Sequence, residues 1–401
     1  MIRSRIRVSS IAAASLFGVG VALAALPSEA ADERAARITE IAEEAMPKHG
    51  LRAIIVRVIV DGRVVVTLAR GESMTGVPAT PDMHFRNGAV AFAYLATVVL
   101  QLAGEKRLGL DDTLAMYLPD LPHADTITLR MLLNMTSGYD DYVRDEGFIT
   151  AFYADPFRHW TPDELIAIGV SKPLLFAPGT NWGYAHTGYV ILGKVVEQVT
   201  GKPLGDSMAE RIFEPLGLRN TAATVTAEIP SPVLHAFTSE RRVPLGIAKG
   251  DRFYEESTFW NPSWTTAPGS VQTSNIFDLA TTSVAIGTGA LLSPESHEAM
   301  TGPALVGFGA PLEGCPTCFT MDHARHYGLG VFLRGNWIMQ SPLFGGYAAT
   351  EGYLPSKKIA IAVAVTFSEA GFDETGDYRG NASTDVFAEI AAYLAPEDAP
   401  Q

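Results

Sequence analysis

The sequence predicts an α+β protein in which both ends of the chain contribute strands to one antiparallel sheet. Near the start, β-branched runs on either side of Asp61-Gly62 indicate a hairpin. Near the end, residues 326–367 contain three more strand-like segments. The pattern over residues 114–221 is helical, with Pro and Gly in the links. We therefore expect helices flanking the sheet, an inserted helical lobe, and a cleft between the two lobes.

Apolar residues at helical spacing identify the helices in chain order. They predict helices at about 32–48, 89–103, 162–170, 188–200, 275–288 and 384–394. The helix after Thr161 has a clear start, with a threonine cap, Pro162 at the first helical position and acidic residues in the first turn. The helix after Gly88 is apolar nearly all round, which is typical of a buried helix.

The first thirty residues have the pattern of a secretory signal peptide. Three arginines precede an apolar run from Ile11 to Leu26, and Ser28-Glu29-Ala30 offers a small-residue cleavage site. The run is shorter than the roughly 20 residues that span a bilayer, so we expect cleavage and no transmembrane segment in the mature chain. A retained anchor is the alternative. Residues 31–401 are expected to form one domain, with an α/β lobe (about 31–113 and 266–401) and a helical lobe (about 114–265).

Composition and charge limit the classes of partner. The formal net charge is −14, with 47% hydrophobic and 18% charged residues. Such a composition indicates a well-packed globule. An acidic surface repels nucleic acid and anionic membranes, so neither is expected as a partner. We expect a small molecule or a protein of the cell envelope instead, and no cofactor.

The two cysteines, Cys315 and Cys318, lie close together in the sequence GCPTCFTMDHARH. In an exported protein the simple interpretation is a local disulfide. The alternative is a zinc site in which His323 and His326 complete four ligands. The first histidine follows the cysteine pair more closely than is usual in zinc sites. The sequence alone leaves both interpretations open.

Several longer motifs point to one family. They are FRNG before the apolar helix, LDDTLAMYLPDLP, TLRMLLNMTSGYDDY, PGTNWGYAHTGYVILGKVVEQVTGKPL, RIFEPLGLRNT, APGSVQTSNIFDLA and YGLGVFLRG. From about residue 33 to residue 395 the chain resembles the serine β-lactamase and penicillin-binding protein family, in its class C and esterase-like branch. The resemblance implies the β-lactamase/transpeptidase-like fold. It says less about activity.

The resemblance also shows which chemical groups are missing. The family carries S-x-x-K at the start of its long helix, where the serine is acylated and the lysine assists its deprotonation. Aligned on FRNG, this chain has Ala89 in place of the serine and Phe92 in place of the lysine. It contains no other S-x-x-K and no G-x-S-x-G motif. The acyl-enzyme route of the family is therefore not expected here.

The other family elements are altered as well. In the Y-x-N element, Tyr184 remains and His186 replaces the asparagine. Counting back from Gly352-Tyr353, the K/H-T-G element falls on Gly346, Tyr347 and Ala348, without a basic residue. Ser270, on a loop that borders the cleft in relatives, is the best spare hydroxyl. The expected ligand cleft thus consists of Ala89, Phe92, Tyr184, His186, Ser270, Gly346, Tyr347 and Ala348.

Further carboxylate and aromatic side chains are expected near the cleft. Asp140, Asp141 and Glu351 could form an acidic rim, although exposed loop carboxylates are the default. Phe92, Trp182, Tyr184, Tyr347 and Tyr353 together suggest an aromatic pocket that would suit an apolar or sugar-like ligand.

These residues support three functional hypotheses. The first is an exported, catalytically degenerate protein that binds a ligand or partner in the envelope. The second is a divergent hydrolase of an ester, amide or D-amino-acid peptide bond, with Tyr184 and His186 as acid and base and Ser270 as a further candidate hydroxyl. The third is a zinc-assisted protein built on the cysteine and histidine cluster.

Overall fold

The computed structural model describes residues 28–224, 226–265 and 272–400. The predicted signal peptide lies almost wholly outside these residues, and Ser270 lies outside them too. Among the described residues, no helix is both long enough and apolar enough to cross a membrane.

The chain forms eleven helices and fourteen strands within the described residues. The helices are α1 (Ser28–Lys48), α2 (Val90–Gly104), α3 (Leu129–Leu133), α4 (Glu146–Ala154), α5 (Pro162–Gly169), α6 (Thr187–Thr200), α7 (Leu204–Met208), α8 (Glu214–Leu216), α9 (Ile276–Thr288), α10 (Pro294–Thr301) and α11 (Ala382–Leu394). The strands are β1 (Leu51–Val60), β2 (Arg63–Met74), β3 (Val77–Pro78), β4 (Phe85–Arg86), β5 (Ala222–Ala223), β6 (Phe237–Thr238), β7 (Glu255–Glu256), β8 (Gln272–Ser274), β9 (Arg325–Tyr327), β10 (Phe332–Arg334), β11 (Trp337–Gln340), β12 (Leu343–Phe344), β13 (Tyr347–Leu354) and β14 (Ile359–Phe367).

One antiparallel sheet unites both ends of the chain, as the sequence predicts. Its strand order is β3-β2-β1-β14-β13-β11-β10-β9, and β12 pairs with β13. The hairpin between β1 and β2 turns at Asp61 and Gly62, whose φ angles are +47° and +74°. Two consecutive positive φ angles are the requirement of a type I′ turn, which Asp-Gly satisfies. The predicted α+β fold class is confirmed.

Alternation along β1 divides the core into two clusters. Ile54, Val56 and Val58 point to one face of the sheet and pack with α1 and α11. Ala53 and Ile55 point to the other face and join the larger cluster around α2, α6 and α9. This period of two is what a strand buried on both faces requires. The division into an α/β lobe and a helical lobe stays a prediction.

Helix caps follow the predicted signals. Thr161 and Glu164 form a reciprocal capping box at the start of α5, with Pro162 in the first turn. The side chain of Asn275 accepts hydrogen bonds from the backbone N–H groups of Phe277 and Asp278 at the start of α9. Helix α2 has no side-chain cap, and most of its residues are buried. Its stability therefore comes from packing.

Candidate functional site

The start of helix α2 contributes to one wall of a cavity of about 620 Å³. Gly88 and Ala89 both line this cavity. Gly88 has a φ of +49°, and a Cβ atom there would lie 2.5 Å from Cβ of Pro342. The segment 341–345 can approach the start of the helix only because residue 88 is glycine. Ala89 presents a methyl group to the cavity where the family would place a nucleophilic oxygen.

Phe92 lies one turn further along α2 and is wholly buried. Its ring stacks on Tyr189, with centroids 4.0 Å apart, and lies 5.4 Å from the ring of His186. The ring of Tyr184 lies 5.7 Å away. Aromatic packing therefore fills the position at which the family holds its lysine, and the side chain there cannot accept or donate a proton.

A buried carboxylate fixes the orientation of His186. Nδ1 of His186 lies 3.1 Å from Oδ2 of Asp141, and the backbone N–H of His186 donates to Oδ1 over 3.1 Å. The Asp141 side chain is only 4% exposed, whereas His186 lines the cavity. A carboxylate can only accept, so the shared proton belongs to Nδ1, and in the neutral ring Nε2 keeps its lone pair. The pair has the geometry of an oriented general base.

Truncation of Asp141 is expected to destabilise the fold. Asp141→Ala removes the acceptor for the His186 backbone N–H and ring, and should lower the free energy of unfolding by about 1–3 kcal/mol, the cost of leaving buried donors unpaired. Urea denaturation followed by circular dichroism measures the change. Asp111→Ala is the matched control, because Asp111 pairs with Arg130 at the surface and should change stability by about 1 kcal/mol or less. Equal losses in the two variants would contradict this role of Asp141.

Tyr184 lines the same cavity but is poorly suited to be a base. Its ring stacks on Phe332, with centroids 5.9 Å apart and planes within 15°. Burial, reinforced by Tyr327 and Asp141, raises the pKa of the Tyr184 hydroxyl well above its ordinary value of 10.0. The phenol therefore keeps its proton near neutral pH and can act only as a hydrogen-bond donor or acceptor.

Nine aromatic side chains line the cavity. They are Phe148, Phe152, Tyr153, Trp182, Tyr184, Trp264, Phe319, Phe332 and Phe344. The aromatic pocket expected from the sequence is thus present with a different membership. Of the five rings assigned to it, only Trp182 and Tyr184 line the cavity. Phe92 packs behind the wall, and Tyr347 and Tyr353 do not line the cavity.

Cys315 and Cys318 form a disulfide, so the zinc hypothesis is wrong. Sulfurs bonded to each other are no longer thiolates and cannot bind zinc as the proposed site requires. Nδ1 of His326 instead lies 3.1 Å from the carbonyl oxygen of Asp322. Among the described residues, no group of three or more potential ligands could hold a metal ion. The short loop that the disulfide closes, including Pro316 and Thr317, lines the cavity.

The strand-edge element of the cavity differs from the expected one. Residues 340–345 line the cavity, and Gly346, Tyr347 and Ala348 do not. Tyr347 is buried, and its hydroxyl donates to the carbonyl oxygen of Leu234 over 2.7 Å. The polar groups of this wall are therefore those of Gln340 and Ser341. Neither side chain is basic, so residues 340–345, like the K/H-T-G position expected from the sequence, have no basic residue.

The expected acidic rim does not form. Asp140 pairs with Arg144 at 3.1 Å, Asp141 is buried against His186, and Glu351 is buried within the sheet. The cavity carboxylate is instead Glu240, which the sequence analysis missed. Nothing in its local sequence distinguishes Glu240 from a surface glutamate, since the segment 222–265 lacks periodic pattern.

Comparison with known families agrees with the fold and the motifs. The family model described as Beta-lactamase matches residues 38–385. The chain belongs to the β-lactamase family, and the resemblance inferred from the sequence is confirmed. Within that family, its cavity lacks the serine and lysine of the S-x-x-K motif.

Relatives by sequence include proteins of several activities. The chain is 36% identical over 182 residues to "Penicillin-binding protein 4" of Amycolatopsis lactamdurans, a match covering 43% of this chain and 45% of that protein. It is 30% identical over 206 residues to "Esterase EstB" of Burkholderia gladioli, covering 46% and 50% of the two chains. The matched segments thus span about half the length of these relatives.

Solved structures show similarity over nearly the whole chain. A D-stereospecific amidohydrolase from Streptomyces sp. superposes with a TM-score of 0.71 at 25% identity, covering 90% of this chain and 99% of that one. D-amino acid amidase from Ochrobactrum anthropi SV3 gives a TM-score of 0.73 at 20% identity, covering 90% and 98%. At this identity the second similarity establishes the fold alone.

Proposed function

We propose that this protein is an exported, ligand-binding member of the β-lactamase family that does not form an acyl-enzyme. One observation carries the proposal: Ala89 stands at the start of α2, and Phe92, one turn on, is buried against Tyr189. No nucleophilic atom lies at residue 89, and no ionisable group lies at residue 92. In a concerted site, loss of the nucleophile alone costs about six decades in rate.

The shape of the cavity supports binding. Its volume of about 620 Å³ lies within the range of small-molecule sites, roughly 300–1,000 Å³. Aromatic rings supply apolar contact area, while His186, Glu240 and Arg325 supply polar groups. An amphipathic small molecule with an aromatic or aliphatic body fits this combination. Export to the envelope is part of the proposal and is supported by the signal-peptide pattern of residues 1–30.

Covalent labelling tests the loss of acyl transfer. We expect no mass increase when the purified mature protein is incubated with a fluorophosphonate probe or, separately, with a penicillin, and intact-mass spectrometry measures this. The variant carrying Ala89→Ser and Phe92→Lys is the access control, because its labelling shows that the probes reach the start of α2. A stable adduct on the wild-type chain, located by peptide mapping, would overturn the proposal and identify the substitute nucleophile.

The His186–Asp141 pair favours one second candidate, a hydrolase that activates water directly. In this mechanism Nε2 of His186 takes a proton from water as the water oxygen attacks the carbonyl carbon of an ester, amide or D-amino-acid peptide bond. The C–O or C–N bond then breaks, the leaving group takes the proton from Nε2, and no covalent intermediate forms. A positioned general base contributes about 10²–10⁴-fold to the rate. If this candidate is correct, the wild-type protein hydrolyses a p-nitrophenyl ester, and His186→Gln lowers the rate about 10²–10⁴-fold. A rate that is the same in wild type and His186→Gln excludes it.

A further inference from the structure

One wall of the cavity carries a carboxylate, Glu240, that the mechanisms above do not use. Glu240 follows strand β6 and lines the cavity together with Tyr153 and Gly345. Its Oε2 accepts hydrogen bonds from Oγ1 of Thr238 over 2.7 Å and from the hydroxyl of Tyr378 over 2.8 Å. These two bonds hold the carboxylate in one orientation. A carboxylate held in one orientation beside aromatic rings is typical of a specificity determinant, although Arg325 and His186 also line the cavity.

No cation neutralises Glu240 among the residues that the structure describes. The neighbouring Arg241 is engaged elsewhere, since its guanidinium donates to Glu255 over 3.0 Å and to the carbonyl oxygen of Tyr153 over 2.8 Å. Burial raises the pKa of the Glu240 carboxyl, and the nearby Asp377 acts in the same direction. A carboxylate removed from water without a counter-ion is costly. A cationic ligand would offset that cost and favour the ionised form.

Aromatic faces continue from Glu240 along the wall. The ring of Phe152 lies 5.1 Å from Tyr153 and 4.7 Å from Trp264, and Phe344 lies 6.1 Å beyond Trp264. The faces of aromatic rings attract organic cations and also pack against apolar groups. This part of the cavity therefore combines a negative charge with aromatic surface.

We propose that the cavity binds organic amines, with the ammonium group at Glu240 and an aromatic or aliphatic body against Phe152, Trp264 and Phe344. The inference rests on the proposed function, because it takes this cavity as the ligand site. The inference adds that the ligand carries a positive charge and that Glu240 selects for this charge.

Three probes of one shape and different charge test the inference on the mature wild-type chain. They are 2-phenylethylamine, 2-phenylethanol and 3-phenylpropionate. Trp182 and Trp264 line the cavity, so quenching of tryptophan fluorescence reports binding. We expect the amine to bind at least about tenfold more tightly than the alcohol, the effect of roughly 1.4 kcal/mol from one partly buried charge pair. The carboxylate should bind more weakly than either.

A matched pair of variants assigns the preference to one side chain. Glu240→Gln keeps the size of the residue and one accepting oxygen for Thr238 and Tyr378, and it removes the charge. It should therefore abolish the preference for the amine and leave alcohol binding unchanged. Glu369→Gln is the control, because Glu369 pairs with the exposed Arg252 and does not line the cavity. It should leave all three affinities unchanged.

The outcomes distinguish this inference from the proposed function. Equal affinity of the wild type for amine and alcohol, tighter binding of the carboxylate, or no binding of any probe would overturn the amine inference. None of these results decides acyl transfer, which the labelling experiment tests independently. If Glu240→Gln does not fold, the relative affinities of the wild-type protein for the three probes still test the amine inference. An amine preference that persists in a folded Glu240→Gln protein would also overturn the assignment.

Discussion

Replacement of Phe92 by alanine is expected to lower the free energy of unfolding by about 3–5 kcal/mol, the range for truncating a buried phenylalanine. The ring has no exposed surface and is in contact with Tyr189, Tyr184 and His186. Helix α2 packs against α6 and α10, which limits how far the surroundings can collapse into the space. Urea denaturation followed by circular dichroism measures the loss.

Phe92→Leu is the matched control for this prediction. Leucine keeps most of the apolar volume, so the loss should be about 1.5 kcal/mol or less. A loss below about 1 kcal/mol for Phe92→Ala would show that the position behaves as open space and not as packed core. In that case Phe92 would not be the structural replacement for the lysine that we infer, and the argument for a non-acylating cavity would rest on Ala89 alone.

Local signals made much of the fold predictable. The Asp61-Gly62 turn and the capping box at Thr161 are each specified by a few adjacent residues, because their backbone geometry allows few alternatives. The order of strands in the sheet depends instead on contacts between residues that are distant in sequence. Pairing of β1 with β14 joins residues some three hundred positions apart, and no local pattern encodes it. Strand-like segments at both ends of the chain predicted a shared sheet, but the order of its strands was not predicted.

The candidate site likewise contains some residues that a local motif locates and others that only the tertiary structure brings together. Ala89, Tyr184 and His186 line the cavity, and Phe92 packs behind its wall. Each belongs to a short motif at the start of a helix, α2 or α6, so local spacing is enough to locate it. The strand-edge element was placed several residues too far along the chain. Residues 340–345, which include the short strand β12, line the cavity, and Gly346, Tyr347 and Ala348 do not.

Residues brought together by tertiary structure were not predictable. Asp141 reaches His186 across 45 positions of sequence, and Glu240 reaches Tyr378 across 138. Each carboxylate lies in an irregular segment, where the default expectation for a charged residue is solvent exposure. Burial of Asp141 converts an expected rim residue into the group that orients a histidine.

Glu351 is the buried carboxylate with the largest expected effect on stability. It lies on β13, is only 1% exposed, and its Oε1 has no hydrogen-bond partner in the described structure. Ser283 on α9 faces it and in part opposes the effect of burial, without reaching good hydrogen-bond geometry. Burial nevertheless raises the pKa of Glu351 from the ordinary value of 4.5 to about 8. At neutral pH the folded protein therefore holds this carboxyl in its protonated form.

The contribution of Glu351 to stability therefore falls as the pH rises above 5. In this range the folded state binds a proton at Glu351 that the unfolded state has released, so the stabilising contribution is complete below about pH 4.5 and is lost as the pH approaches 8. The slope is at most about 1.4 kcal/mol per pH unit. We expect Glu351 to remove about 3 kcal/mol of unfolding free energy between pH 5 and pH 8, measured by urea denaturation at each pH.

The variant Glu351→Gln isolates this contribution, because glutamine keeps the shape of the protonated acid and does not titrate. Glu240 and Glu255 also have raised pKa values, but they titrate in both proteins and cancel in the difference. The difference in unfolding free energy, wild type minus variant, should therefore fall by about 3 kcal/mol from pH 5 to pH 8. Glu369→Gln, at an exposed ion pair, should show no such change. A pH-independent difference would contradict a raised pKa of Glu351 in the folded protein.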